Sequence, residues 1–150
     1  MKKVLIALCC CWPIVGCFEQ RVERQVIATK EAPAAIGPYS QAIRVGDAFY
    51  VAGQIGIDPA TGELVPGGIA EQTHQVLKNI QAVLQAGGFT MADVVQSQVF
   101  LADLNDYGAM NAVYASYFES APPARAAVQA ARLPKDALIE IMVTAVRTKK

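Results

Sequence analysis

From residue 26 onward, apolar positions recur with two different periods. Between Ile69 and Ala86, Val76, Leu77, Ile80, Val83 and Leu84 fall on one face at helical spacing, and Gly87-Gly88 ends the run. A second stripe of Met110, Val113, Tyr114 and Tyr117 predicts a helix over about residues 105–118. Elsewhere the period is two. Val95, Ser97, Val99 and Leu101 alternate with Val94, Gln96, Gln98 and Phe100, which predicts a strand over residues 93–102. Short strands are predicted over residues 26–29, 41–45 and 48–53, the last two joined by a Gly46-Asp47 hairpin turn. Residues 32–38 form a Pro- and Gly-broken loop, and residues 58–63 a second turn. Two more apolar runs, 126–128 and 138–143, flank the turn Leu133-Pro134-Lys135-Asp136. The order after the short first strand is ββαβαββ. Each helix has a single apolar stripe, so both should lie on one face of a mixed sheet, an α+β domain. The Val- and Ala-rich strands leave the other face needing cover, which a homo-oligomer supplies most simply.

The amino terminus has a different pattern. Met1-Lys2-Lys3 is followed by an uncharged run over residues 4–16, too short to span a bilayer as a mature helix. It ends Ile14-Val15-Gly16-Cys17, which resembles a lipobox, and Phe18 follows the cysteine where a retention signal would have Asp. The expected organisation is a lipoprotein signal peptide (1–16), a polar tether (17–25) lipidated at Cys17, and one domain (26–150). The expected address is the periplasmic face of the outer membrane, with the lipid anchor as the only membrane attachment; an ordinary secretory signal, or a mis-called start ahead of a cytoplasmic domain, fits the same run. Removing the signal takes away Lys2, Lys3 and no acid, leaving about 134 mildly acidic residues, enough for one core. All four cysteines (Cys9, Cys10, Cys11 and Cys17) precede the domain, so it has neither a disulfide nor a thiol nucleophile.

Several chemistries drop out. His74, the sole histidine, shares a helix face with Lys78, Gln81 and Gln85, opposite the apolar stripe. One histidine and scattered acids do not make a zinc site. There is no Gly-x-Ser-x-Gly elbow, and Val65-Pro66-Gly67-Gly68-Ile69 lacks a phosphate-loop lysine. The charge balance does not suggest nucleic acid.

Two charges remain in awkward places. Arg125 follows Pro122, Pro123 and Ala124 and opens an apolar strand, where its guanidinium suits bidentate capture of a carboxylate. Glu140 sits inside the most apolar stretch of the domain, where an unpaired carboxylate is costly. A structural Arg125–Glu140 salt bridge, or a Glu140 facing solvent, fits the same spacing.

The motifs Ala34-Ala35-Ile36-Gly37-Pro38-Tyr39-Ser40-Gln41-Ala42, Ala52-Gly53-Gln54-Ile55, Asp58-Pro59-Ala60-Thr61-Gly62-Glu63, Glu71-Gln72-Thr73-His74-Gln75-Val76-Leu77-Lys78-Asn79, Pro123-Ala124-Arg125 and Leu133-Pro134-Lys135 together resemble the Rid family, also called YjgF or RidA. The resemblance runs in register over about residues 25–148. It implies a chorismate-mutase-like subunit, a homotrimer with sites in the clefts between subunits, and no cofactor. It also implies hydrolysis of 2-iminopropanoate and 2-iminobutanoate to 2-oxo acids and ammonia. By the same resemblance Arg125 grips the substrate carboxylate and Glu140 activates water or shuttles its proton. Tyr39 adds a hydroxyl, Gly53 lets backbone approach the ligand, Asn111 completes the polar wall, and the Ala127 backbone adds a donor. The chain departs from the family pattern at Ala52, Ala126, Ala127 and Met142, losing hydroxyl donors and a second acid. A trimeric, non-catalytic binder of small carboxylates and a ribonuclease or translation inhibitor are the other readings.

Overall fold

The computed structural model describes residues 22–118 and 120–148. Strand β1 (Arg24–Ile27) pairs with β2 (Ala42–Val45), which turns at Gly46 (φ 58°) into β3 (Ala48–Ile55). Helix α1 (Ile69–Ala86), β4 (Val94–Leu101), α2 (Tyr107–Ala115), β5 (Ala124–Gln129) and β6 (Ile139–Val146) follow. The six strands make one sheet in the order β1-β2-β3-β6-β4-β5, antiparallel except for the parallel β4–β5 pair. The mixed α+β sheet agrees with the sequence pattern.

The predicted stripe of α1 is the centre of the core. Val76, Leu77, Ile80, Val83 and Leu84 are completely buried, against Phe49 and Val51 of β3 and Ile139, Ile141, Val143 and Ala145 of β6. Met110 and Tyr114 of α2 join the same cluster, so both helices cover one sheet face. The Glu71 carboxylate accepts the Gly68 N–H at 2.8 Å and caps the start of α1. At its end Gly88 turns left-handed (φ 76°), and the Phe89 N–H reaches back to the Leu84 carbonyl at 2.8 Å.

Several boundaries and one register differ from the sequence reading. Strand β1 begins at Arg24, two residues earlier, so Arg24 and Gln25 belong to the sheet rather than to a tether. Strand β3 runs on to Ile55, held past Gly53 by its pairing with β6. Residues 104–106 form a 3-10 turn and α2 stops at Ala115, because its apolar stripe is short. In β4 a register shift between Val94 and Gln96 breaks the alternation. Val94 is buried and Val95 is turned out, 44% exposed.

The sheet face away from the helices is open in the single chain. Val26, Tyr50, Val128 and Met142 are exposed there, alongside Phe100 and Glu140. Gln41 ties the loop below β1 to β2. Its side chain accepts the Thr29 N–H and donates to the carbonyls of Thr29, Ala32 and Pro33. That pins the loop from which Tyr39 projects.

Candidate active site

Arg125 is the second residue of β5, an edge strand entered from Pro122-Pro123. Its register partner on β4 is Ser97, which is fully buried on the helix side. The Arg125 side chain therefore points to the helix side of the sheet, toward α2. Its guanidinium carbon lies 4.5 Å from the Tyr114 ring centre and 5.6 Å from that of Tyr107. Nη2 donates to the Tyr107 hydroxyl at 3.1 Å, and Nη1 lies 4.0 Å from the Met110 sulfur. Among the described residues no acid pairs with Arg125, while its flat face is stacked and its fork held. A cavity of about 470 Å³ opens beside it, lined by Asn111, Tyr114, Phe118, Pro122 and Pro123. The Asn111 side chain and then the Arg125 charge hold the Tyr107 phenol below its ordinary pKa. Burial raises that of Tyr114, partly offset by Ser97 and Arg125. Among the described residues, neither the buried Tyr114 hydroxyl nor the buried Ser97 Oγ has a hydrogen-bond partner.

Glu140 lies one residue into β6, opposite Ile55 of β3. Beside that pair the β3–β6 register shifts between Val51 and Gln54, and Gly53 lies in the irregular step. A Cβ at Gly53 would overlap the Glu140 carboxylate and stand 2.8 Å from its Cδ. Only glycine leaves room for the acid to lie across β3. Around it is a largely apolar cavity of about 460 Å³, lined by Ile36, Pro38, Tyr39, Ala52, Gly53, Ile55 and Pro134. Burial there raises the Glu140 carboxyl pKa above the usual glutamate value. The Tyr39 hydroxyl accepts the Ile36 N–H at 3.2 Å, which leaves its own proton free to donate.

The sequence-predicted residues thus form two groups. Tyr39, Gly53 and Glu140 share one cavity, while Asn111 and Arg125 share the other. Ala127 lies two residues beyond Arg125 on the same strand face, packed against the core and outside the cavity lining. The two groups do not meet within one chain. Arg125 pairs with Ser97 and Glu140 with Phe100, positions three apart on β4, so their side chains leave the sheet on opposite faces. This excludes an intrachain Arg125–Glu140 salt bridge. His74 is exposed on α1, as its helix position implies, with its ring 3.3 Å from the Tyr117 hydroxyl. Among the described residues no cluster of three or more His, Cys, Asp or Glu side chains could hold a metal. The aromatic cradle of Arg125 was not evident from sequence, where Tyr114 reads as core stripe and Tyr107 carries no signal.

Comparison with known proteins gives a consistent picture. Residues 29–147 match the family model described as endoribonuclease L-PSP. A RutC family protein of Pyrococcus horikoshii is 56% identical over 118 residues, which are 79% of this chain and 94% of that one. The mouse 2-iminobutanoate/2-iminopropanoate deaminase is 50% identical over 124 residues, 83% of this chain and 92% of the enzyme. The crystal structure of YyfA of Yersinia pestis, of the conserved Rid protein family, superposes with a TM-score of 0.80 at 48% identity, covering 83% of this chain and 100% of that one.

These matches overturn the expected address. Archaeal and mammalian proteins align over nearly their whole lengths, and neither kind of cell has the outer membrane to which a lipobox would send the protein. The expectation of an exported, outer-membrane lipoprotein rested on a charge-free run of thirteen residues and one cysteine, a pattern that simple apolar composition also produces. Residues 1–16 and Cys17 lie outside the described residues. No described helix is long and apolar enough to cross a membrane.

Proposed function

The chain belongs to the Rid family, and on that premise we propose that it hydrolyses reactive 2-imino acids and their enamine tautomers to 2-oxo acids and ammonia. The substrates are of the 2-iminopropanoate and 2-iminobutanoate class. The observation that carries this reading is the pair of half-sites, each incomplete alone. One offers a stacked guanidinium with no acidic partner among the described residues, the other a half-buried carboxyl with raised pKa in an apolar cavity.

Arg125 binds the substrate carboxylate through two parallel N–H donors, with Asn111 beside it. Glu140 takes a proton from a water as its oxygen adds to C2 of the imine. The imine nitrogen gains that proton and the tetrahedral carbinolamine forms; Glu140 then carries the C2 hydroxyl proton to the amine as the C2–N bond breaks, releasing ammonia and the 2-oxo acid. Burial raises the pKa of the Glu140 carboxyl above the ordinary glutamate value, which makes it a better proton acceptor for this shuttling. Tyr39 donates its free proton to the water or to the tetrahedral oxygen. The site has little covalent work to do, and positioning with charge stabilisation suffices.

Arg125 and Glu140 leave opposite faces of one sheet, so both can reach a single substrate only if a second copy supplies one of them. We take the site to lie between subunits of a homotrimer, with the exposed Tyr50 and Met142 face buried against a neighbour. The test is loss of 2-iminopropanoate, trapped competitively by semicarbazide, with Arg125→Ala and Glu140→Gln as controls. Failure of the wild-type protein to accelerate it sinks the reading. A second reading, a carboxylate binder without turnover, draws on Ala52. That side chain lines the Glu140 cavity without a hydroxyl, leaving the Tyr39 hydroxyl as the donor among the described residues that line it beside Glu140. Tight 2-oxo acid binding with no imine hydrolysis would favour it.

A further inference from the structure

Helix α1 buries amide side chains on its apolar face, where alkyl groups would pack more cheaply. Gln72 is 6% exposed and Asn79 completely buried, one heptad apart on the same stripe. Burying an amide is costly unless its hydrogen bonds are made. Asn79 Oδ1 accepts from Gln75 Nε2 at 2.9 Å, while Asn79 Nδ2 and Gln72 Oε1 bond the ends of the two strands that carry the Glu140 half-site. Asn79 Nδ2 donates to the carbonyl of Ile55 at 3.2 Å and to that of Ile57 at 2.9 Å. Ile55 is the ladder partner of Glu140. Gln72 Oε1 accepts the Leu138 N–H at 2.9 Å, two residues before Glu140. The helix comes so close that a Cβ at Gly56 would stand 3.0 Å from the Gln72 Cβ and 3.1 Å from its Cα.

We propose that Gln72 and Asn79 are positioning residues for Glu140, a role that rests on the deaminase reading above. The ladder needs outside support here, because the β3–β6 register shifts between Val51 and Gln54, one residue short of the Ile55–Glu140 pair. On the β3 side of that pair, backbone is fixed to a rigid helix by Asn79, and on the β6 side Gln72 adds a helix contact to the ladder with β4. The carboxyl of Glu140 thereby stays across Gly53, where the side chain has little freedom to retreat. Neither amide touches the cavity, so each acts only through the strand it holds.

The test replaces Gln72 with Met, which keeps its length and loses the acceptor, and with Glu, which keeps the acceptor. Glutamate is tolerable near the start of α1, where the helix dipole favours negative charge. Gln72→Met should lower kcat about ten-fold with KM changed less than about two-fold, and Gln72→Glu should recover most of the loss. A carbon-13 NMR titration of Glu140 provides a readout independent of turnover. Among the described residues, Tyr39 is the one other titratable group lining that cavity. In Gln72→Met the Glu140 midpoint should fall toward the ordinary glutamate value as the carboxyl gains water. A kcat and midpoint both unchanged in a folded Gln72→Met protein overturn the proposal, as does a loss that Gln72→Glu fails to recover. Should Gln72→Met not fold, Gln72→Asn retracts the acceptor by one methylene and carries the same test. If the wild-type protein hydrolyses no imine, the deaminase reading fails, and the NMR midpoints alone decide the positioning role.

Discussion

Adding one methyl group at Gly53 separates the demands of the site from those of the fold. The new Cβ would overlap the Glu140 carboxylate and lie 2.8 Å from Cδ and 3.1 Å from Cγ. Unstrained carbon contacts are about 3.5–4.0 Å, so the carboxyl must withdraw by roughly 1 Å. A glutamate side chain bends at low cost, and none of the contacts in question is with backbone, so Gly53→Ala should lose no more than about 1 kcal/mol of stability. A displacement of roughly 1 Å in a positioned group costs on the order of 100-fold in rate. Gly53→Ala should therefore melt within a few degrees of wild type while its kcat for iminopropanoate hydrolysis falls by about two orders of magnitude. The assay generates the imine in situ with an amino acid oxidase and follows its loss to semicarbazide. A folded Gly53→Ala protein with activity within about three-fold of wild type would refute the reasoning. The position of the Glu140 carboxyl would then not matter to the chemistry.

Other outcomes follow from the same geometry. Arg125→Lys keeps the charge but loses the fork and the stack on Tyr114, so KM should rise about ten- to hundred-fold with a smaller change in kcat, read from saturation curves. Glu140→Gln should abolish turnover yet modestly raise the melting temperature at neutral pH. The folded-state pKa of Glu140 is raised, so the native state binds its proton more tightly than the unfolded chain. Its ionisation therefore costs stability as pH rises through the window between the ordinary glutamate value and the raised one. The gain in Glu140→Gln, no more than about 3 °C for a half-exposed group, should vanish below that window in calorimetric scans.

Much of the fold was legible because α1 declares itself, with Val76, Leu77, Ile80, Val83 and Leu84 all buried as their spacing requires. The strands were legible too, but not their neighbours. No local signal says that β5 lies parallel beside β4, or that β6 inserts between β3 and β4, since these are long-range choices. The register shift at Val94–Gln96 was hidden because both phases of that strand offer valines. At the site, Tyr39, Gly53 and Glu140 line one cavity and Asn111 and Arg125 another. Their division between two sheet faces did not show, because strand parity becomes visible only once the partners on β4 are known. Gln72 and Asn79 could have been noticed as amides on an apolar stripe, though their strand-end partners lie far away in sequence.

The central claim is that Arg125 of one copy and Glu140 of another act on a single substrate. Mixing two inactive variants, Arg125→Ala and Glu140→Ala, tests it directly. If each site takes its arginine from one subunit and its acid from the next, random reassortment restores both groups in about a quarter of the sites. The mixture, dissociated and reassembled together, should recover about one quarter of wild-type imine hydrolysis, while either variant alone stays inactive. Mixed oligomers that form but recover no activity would contradict the account.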